Sequence, residues 1–470
     1  MTELQALRER YRSDKAALLA QLPSSLAASR GIHARLRKLA ALTEALLCGL
    51  CQRAALPGPI ALVAVGGFGR RQLFPYSDVD VLVLVPETHI DPALREKIEA
   101  FIHSCWDVGL EIGSSVRTVS ECLEESRRDI TVQTSLLEAH LVCGNAALFA
   151  DFQQQFRAHL DVRAFCVAKT LEMHQRHHKY EDTPYALEPN CKESPGGLRD
   201  LQMILWIAQA AGLGNSWQEL AASGLATPFE VRQIERNHAM LCLIRARLHL
   251  LAGRREDRLV FDLQTAVAES LGYRSQASEG TLLPVRASET LMRHYYWAAK
   301  AVTQLRQILL LNIEERLNPP TRPPQRINAR FFDKGAMIEV ASDDLYLRDP
   351  HAILETFLLY QSSAALQHLS ARTLRALYNA RSVMDGAFRR DPVNRAAFLR
   401  ILQQPSGLTH AAQLMNQTSV LGRYLWPFRR IVGQMQHDLF HAYTVDQHIL
   451  MVVRNVRRFF VAEHAHEYPF

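Results

Sequence analysis

The sequence predicts an α+β protein: one small sheet close to residue 60, followed by long stretches of helix. Three observations predict it. Short β-branched runs, "IALVAVGG" and "VDVLVLVP", are bounded by Gly and Pro as buried strands should be. Beyond them, "DPALREKIEAFIHSCWDVG" has helical spacing and "LEIGSSVRTV" returns to a strand pattern. From about Ser120 to Leu317 the helical period then dominates, in runs such as "RQIERNHAMLCLIRARLHLLAGR". The 470 residues are too many for one ordinary core, so several folding units are expected.

Taken in order, residues 1–56 read as helices, stopped at Pro57-Gly58-Pro59. Residues 57–145 hold the sequence strand, turn, strand, helix, strand, a small α/β unit. Residues 146–317 read as a helical unit, interrupted where Pro189, Pro195, Gly196 and Gly197 precede a good helix. Within 318–430, "NPPTRPPQR" is a stiff linker, "FFDKGAMIEVASDDLYLR" a hairpin-like piece, and "ILETFLLYQSSAALQHLS" a return to helix. Residues 431–470 remain helical in pattern.

Composition excludes some classes. Hydrophobic content of 48% and charged content of 22% belong to a soluble globular protein. A net charge of +6 favours an acidic ligand but, spread over the chain, supports no claim of nucleic-acid binding. The N-terminal "MTELQALRERYRSDKAALLAQL" has no signal-peptide core and no run long enough to span a bilayer, so a cytoplasmic protein without membrane attachment is expected. Eight scattered cysteines suit reduced core thiols, and Cys48-x-x-Cys51 lacks the second pair that a zinc set would need.

The chemistry concentrates in "AVGGFGRRQLFPYSDVDVLVLVP", Ala64 to Pro86. Asp78 and Asp80 are two apart at the start of a strand, so alternation points both carboxylates to one face. Two like charges held together are costly unless a cation neutralises them, and Mg²⁺, with Mn²⁺ as an alternative, shares such oxygen ligands with substrate phosphates. Gly66 and Gly67 would let the backbone approach a triphosphate, with N–H groups as donors. Gly-Gly, spacer and Asp-x-Asp on a strand is the layout of DNA polymerase β-like nucleotidyltransferases, in which a neighbouring strand supplies a third carboxylate. Glu111 in "GLEIGSSVR" is the best candidate and Asp107 the fallback; Arg70 is a candidate phosphate ligand. Against this stands a bland reading, in which the aspartates cap a turn and the glycines make a hairpin.

Five ordered motifs extend the likeness. "VGGFGRRQLFPYSDVDVLVLVP", "CWDVGLEIGSSVRTVSEC", "LEPNCKESPGGLRDLQ", "REDRLVFDLQ" and "GQMQHDLFHAYTVDQHIL" closely resemble the bifunctional uridylyltransferase/uridylyl-removing enzymes of bacterial nitrogen control. The resemblance implies transfer of UMP from UTP to a tyrosine of the PII signal protein, with hydrolytic removal in an HD-type metal domain and glutamine sensing in ACT domains. It implies a polymerase β-like nucleotidyltransferase domain at 57–145, a mainly helical domain after it, and the start of a helical HD-type domain at 431–470. It makes Asp78 and Asp80 the metal ligands, Glu111 the third acid of the Mg²⁺ set and a carboxylate that helps remove the tyrosine proton, and Gly66, Gly67 and Ser77 the nucleotide loop. Lys192, Gly196, Gly197, Arg199 and Asp200 match the family's helical domain, either as a turn capping a helix or as a nucleotide contact.

His437-Asp438 suggests an HD dyad, but no aspartate follows Asp446 to complete the set; His448 instead matches the family's first HD ligand. The sequence ends inside that domain, which implies a polypeptide that keeps the transferase chemistry and lacks hydrolysis and glutamine sensing. His441, His464 and His466 read as polar-face residues of helices. Two competing readings are an adenylyltransferase acting on glutamine synthetase, which the "YTVDQH" segment opposes, and a catalytically inactive signalling scaffold.

Overall fold

The computed structural model describes residues 3–56, 58–86, 92–275, 285–319, 322–435 and 444–459. His437, Asp438, His441, His464 and His466 lie outside them. Two helices, α1 (Glu3–Ala20) and α2 (Ile32–Arg53), lead into β1 (Ala61–Ala64), the single turn α3 (Gly66–Gly69), β2 (Val79–Leu84), α4 (Pro92–Asp107) and β3 (Ile112–Arg117). Then come α5 (Val119–Arg128), α6 (Ile130–Leu137), β4 (His140–Gly144) and α7 (Ala146–His159).

The sheet order is β3-β2-β1-β4, with β2 parallel to β3 through the α4 crossover and β1 antiparallel to both β2 and β4. Strand β4 lies in the stretch after Ser120 in which the helical period dominates the sequence. Its five residues, "HLVCG", are too few to set a period of their own, and their pairing with β1 decides the matter. The hydrophobic runs of β1 and β2 are explained by burial on both faces. Leu62, Val81 and Val83 pack on α2 and α4 through Leu47, Leu50 and Phe101, while Val63, Leu82 and Leu84 pack on α5 and α7 through Cys122, Phe152 and Phe156. The helices preceding the sheet thus share a core with it.

The second core is helical: α8 (Val162–Lys179), α9 (Leu198–Ala210), α10 (Trp217–Ala222), α11 (Pro228–Ala252), α12 (Phe261–Ser270) and α13 (Ala287–Leu317). Helix α11 starts with a capping box between Thr227 and Glu230, with Pro228 in its first turn, and stops at Gly253 in the left-handed conformation. Leu241, Leu243 and Ile244 of α11 and Leu291, Tyr295 and Val302 of α13 are among its fully buried residues. Beyond Leu317 a small sheet forms from β5 (Gln325–Arg326), β6 (Phe331–Asp333), β7 (Met337–Val340) and β8 (His368–Leu369), in that order. The hairpin β6–β7 appears where expected. However, the end of the proline-rich linker is itself an edge strand, and the helical run after it breaks at Ser363 to let β8 pair parallel to β7. Short helices follow, ending with Val445–Arg458. Among the described residues no helix is long and apolar enough to cross a membrane.

Candidate active site

The cleft of interest lies where the sheet meets the helical core. Strand alternation places Asp80 on the same face as Leu82 and Leu84, and Asp78, just ahead of the strand, on that face too. In the parallel register Val79 faces Ile112 and Asp80 faces Gly113; the amide of Val79 donates to the carbonyl of Glu111 at 2.8 Å. Glu111 therefore extends the pairing opposite Asp78, and its side chain shares the aspartates' face. Asp78, Asp80 and Glu111 border one hollow together with Trp106 and Gly113, whereas Asp107 closes α4 and does not border it. Gly113 matters here: a Cβ at that position would lie 2.6 Å from Asp80 Oδ1. The carboxylate has its space because the neighbouring strand has no side chain.

Asp78 and Asp80 also form one wall of a cleft of ≈ 250 Å³. Gly66, Gly67, Arg70 and Ser77 line it, so the nucleotide loop expected from the sequence and the aspartate pair face one space. Gly66 sits at φ +58°, in the left-handed region that glycine tolerates, with a hypothetical Cβ 3.6 Å from Asp80 Oδ2. Basic groups predominate in the remaining walls, Lys169 from α8, Lys192, Arg199 from α9, Arg245 from α11, and Arg255, beside Glu138 and Glu172.

The electrostatics divide these groups. Burial and the charge of Asp78 push the Asp80 carboxyl above its usual range, against the pull of Lys192 and Arg255. Burial likewise pushes the Lys192 and Lys169 ammonium groups down, and Arg199 adds to both effects. Arg255 pairs with Asp78 across the cleft, with about half of each side chain exposed. Glu138, only 4% exposed, accepts from Arg70 and from the indole N–H of Trp206. The cationic ends of Lys169, Arg199 and Arg70 lie 4.6, 5.2 and 5.7 Å from the Trp206 ring.

The loop Asn190–Gly197 positions Lys192. The Asn190 side chain accepts from the amides of Lys192 and Glu193 at 3.0 and 2.8 Å, and the Arg199 amide donates to the Lys192 carbonyl at 2.8 Å. Asp257 holds the opposite segment, taking Arg245 Nε at 2.5 Å and Nη2 at 3.2 Å and His249 Nε2 at 3.1 Å. The Cys191 amide donates to the Asp257 carbonyl at 2.7 Å, tying the two segments together.

The two readings of the Pro-Gly-Gly motif are therefore divided between its residues. Gly196, at φ +77°, presses on α13, where a Cβ would come within 2.2 Å of the Ala299 carbonyl oxygen. Asp200 is fully buried, accepts from the Gly196 amide at 2.9 Å, and is neutralised by Arg176, His177 and Arg306 at 2.7, 2.9 and 3.5 Å. Only Lys192 and Arg199 of the motif reach the cleft. Glu138, Lys169, Trp206, Arg245 and Arg255 were not singled out by sequence reasoning. Arg255 and Asp257 stand in "REDRLVFDLQ" and Trp206 just beyond "LRDLQ", so the motifs contained a signal for some of them. His448 lies on the exposed side of the last described helix, far along the chain from this cleft, and the cleft does not include it.

The fold and the cleft define the class: a nucleotidyltransferase domain built on a small mixed sheet, joined to helical domains. Comparison with known proteins narrows it. Residues 164–310 match the family described as GlnD PII-uridylyltransferase, and residues 331–424 the uridylyltransferase GlnD third domain. The chain is 59% identical over 467 residues to the bifunctional uridylyltransferase/uridylyl-removing enzyme of Cupriavidus metallidurans, covering 99% of this chain and 53% of that protein. To the proteins of that name in Burkholderia pseudomallei and Burkholderia mallei it is 60% identical over 462 residues. The chain spans about half the length of these curated relatives, 53% in each case. It belongs to the GlnD uridylyltransferase family.

Proposed function

We propose that the chain transfers UMP from UTP to a tyrosine of the PII signal protein, releasing pyrophosphate. The observation that carries this reading is the cleft itself: two carboxylates at the mouth of a buried strand face walls of lysine and arginine, as a metal-bound triphosphate requires. The relatives' printed name supplies the uridylyl group, and the description of the matched family supplies PII.

The donor set fits Mg²⁺. Asp78 and Asp80 offer hard oxygen ligands, Gly113 leaves room for the Asp80 carboxylate, and their mutual repulsion is what a divalent ion relieves. When bound, such an ion neutralises phosphate charge and lowers the pKa of the incoming hydroxyl. The chain's own residues do the rest. Lys192, Arg199 and Arg255 hold the phosphates and meet the charge that develops on pyrophosphate. The tyrosine oxygen attacks the α-phosphorus in line; its bond to phosphorus forms as the bond to the bridging oxygen breaks. Glu111, at the open edge opposite Asp78, takes the hydroxyl proton.

The test is incubation of the purified chain with Mg²⁺, PII and each labelled nucleoside triphosphate in turn, followed by mass analysis of the acceptor. One UMP on a tyrosine is the expected product. AMP on glutamine synthetase would establish the adenylyltransferase reading instead, and no transfer to either acceptor would leave only the scaffold.

A further inference from the structure

A second cluster of ligand-type side chains lies behind the cleft, where α2 meets α11. His238 and Cys242 are one helical turn apart on α11, hence on one face, and His33 stands in the first turn of α2. One ligand atom from each of the three falls within 4.8 Å of the others. The rings of His33 and His238 are 4.5 Å apart, tilted by 53°. His238 is 7% exposed and Cys242 fully buried, and His238 Nε2 has no hydrogen-bond partner among the described residues. A buried ring nitrogen left unpaired costs stability, and a bound cation would satisfy it.

We propose that His33, His238 and Cys242 form a binding site for a zinc-type divalent ion that pins α2 to α11. Imidazole and thiolate donors select zinc over magnesium, so this site is chemically distinct from the carboxylates of the cleft. Zinc takes nitrogen at about 2.0 Å and sulfur at about 2.3 Å, and where a protein offers three ligands a water is the usual fourth. Ligand atoms of a tetrahedral ion stand roughly 3.5 Å apart, so small side-chain rotations close the observed spacing. Burial and Arg37 push the His33 imidazole down to about 4, and burial, His33 and Arg70 push that of His238 well below its usual range. The neutral imidazole is the form that ligates a metal ion. Burial pushes the Cys242 thiol up to about 12; on coordination it loses its proton to solvent and brings one negative charge. That charge offsets the repulsion from Arg37, Arg70 and Arg245, which face the cluster from three elements.

Titration of the reduced, chelator-treated full chain with Co²⁺, in the absence of nucleotide, tests this independently of the transferase reading. A tetrahedral cobalt spectrum with thiolate-to-metal absorption, saturating at about one ion per chain and displaced by Zn²⁺, is expected. Cys242→Ser should abolish the thiolate band, and His33→Gln should weaken cobalt binding at least about tenfold. Should Cys242→Ser fail to fold, His33→Gln, at the end of its helix, decides by the same titration. Two results would overturn the proposal: no tetrahedral spectrum at millimolar Co²⁺, or one that survives these substitutions and vanishes with Cys51→Ser, which would assign the ion to the thiols of Cys48, Cys51 and Cys143.

Discussion

Asp80 and Asp200 are both aspartates beside arginines, yet the fold treats them oppositely. Asp200 is fully buried, and Arg176, His177, Arg306 and the Gly196 amide neutralise it, so that although burial alone would raise its carboxyl, these partners hold it far below the usual range. Asp80, half-buried beside a second carboxylate, is pushed the other way. On the proposed function, the difference separates structural from functional acids. A charge fully compensated inside the protein holds helices together, whereas one left under-compensated at the mouth of a cleft is available to a metal and its phosphates.

Replacing both Asp78 and Asp80 by asparagine makes the largest change on the functional side. Nucleotidyl transfer, followed by release of labelled pyrophosphate, should fall by at least about a thousandfold while circular dichroism and melting temperature stay near wild type. Asp200→Ala breaks the comparison from the other side. It leaves Arg176 and Arg306 buried without their partner and should cost about 3–5 kcal/mol in urea unfolding. Transfer by whatever fraction stays folded should be little affected.

A smaller effect concerns pH. Because the folded-state pKa of Asp200 is depressed, its contribution to stability is fully present above the unfolded value of about 3.9 and is lost as pH falls toward the folded one. Unfolding free energy should therefore drop between about pH 4 and pH 2 with a steeper slope in wild type than in Asp200→Asn. Lys192→Met should raise KM for the nucleotide about tenfold by removing one phosphate contact. Least of all, Gly66→Ala should cost about 1–2 kcal/mol, since alanine disfavours the left-handed backbone found there.

The sheet and the acidic side of the cleft were legible in the sequence because they are local. The runs around Val63 and Val83 are buried on both faces, and Asp80 sits in a strand with Asp78 just ahead of it, so a period of two suffices to orient them. The basic side was mostly hidden. Lys169, Arg245 and Arg255 come from separate parts of the helical core, and only tertiary packing brings them to the strand. Asp200 looked like its neighbours Arg199 and Lys192 in one dimension; its burial under α13 distinguishes it. Strand β4 was missed for the same reason, since its partner is β1, about eighty residues earlier in the chain.

The most direct test of the contrast is Mn²⁺ binding in the presence of a non-hydrolysable UTP analogue, read by electron paramagnetic resonance on wild type, Asp80→Asn and Asp200→Asn. The account predicts that the bound-manganese signal is lost in Asp80→Asn and kept in folded Asp200→Asn. Undiminished manganese binding in Asp80→Asn, or its selective loss in a folded Asp200→Asn, would contradict the assignment of these two acids.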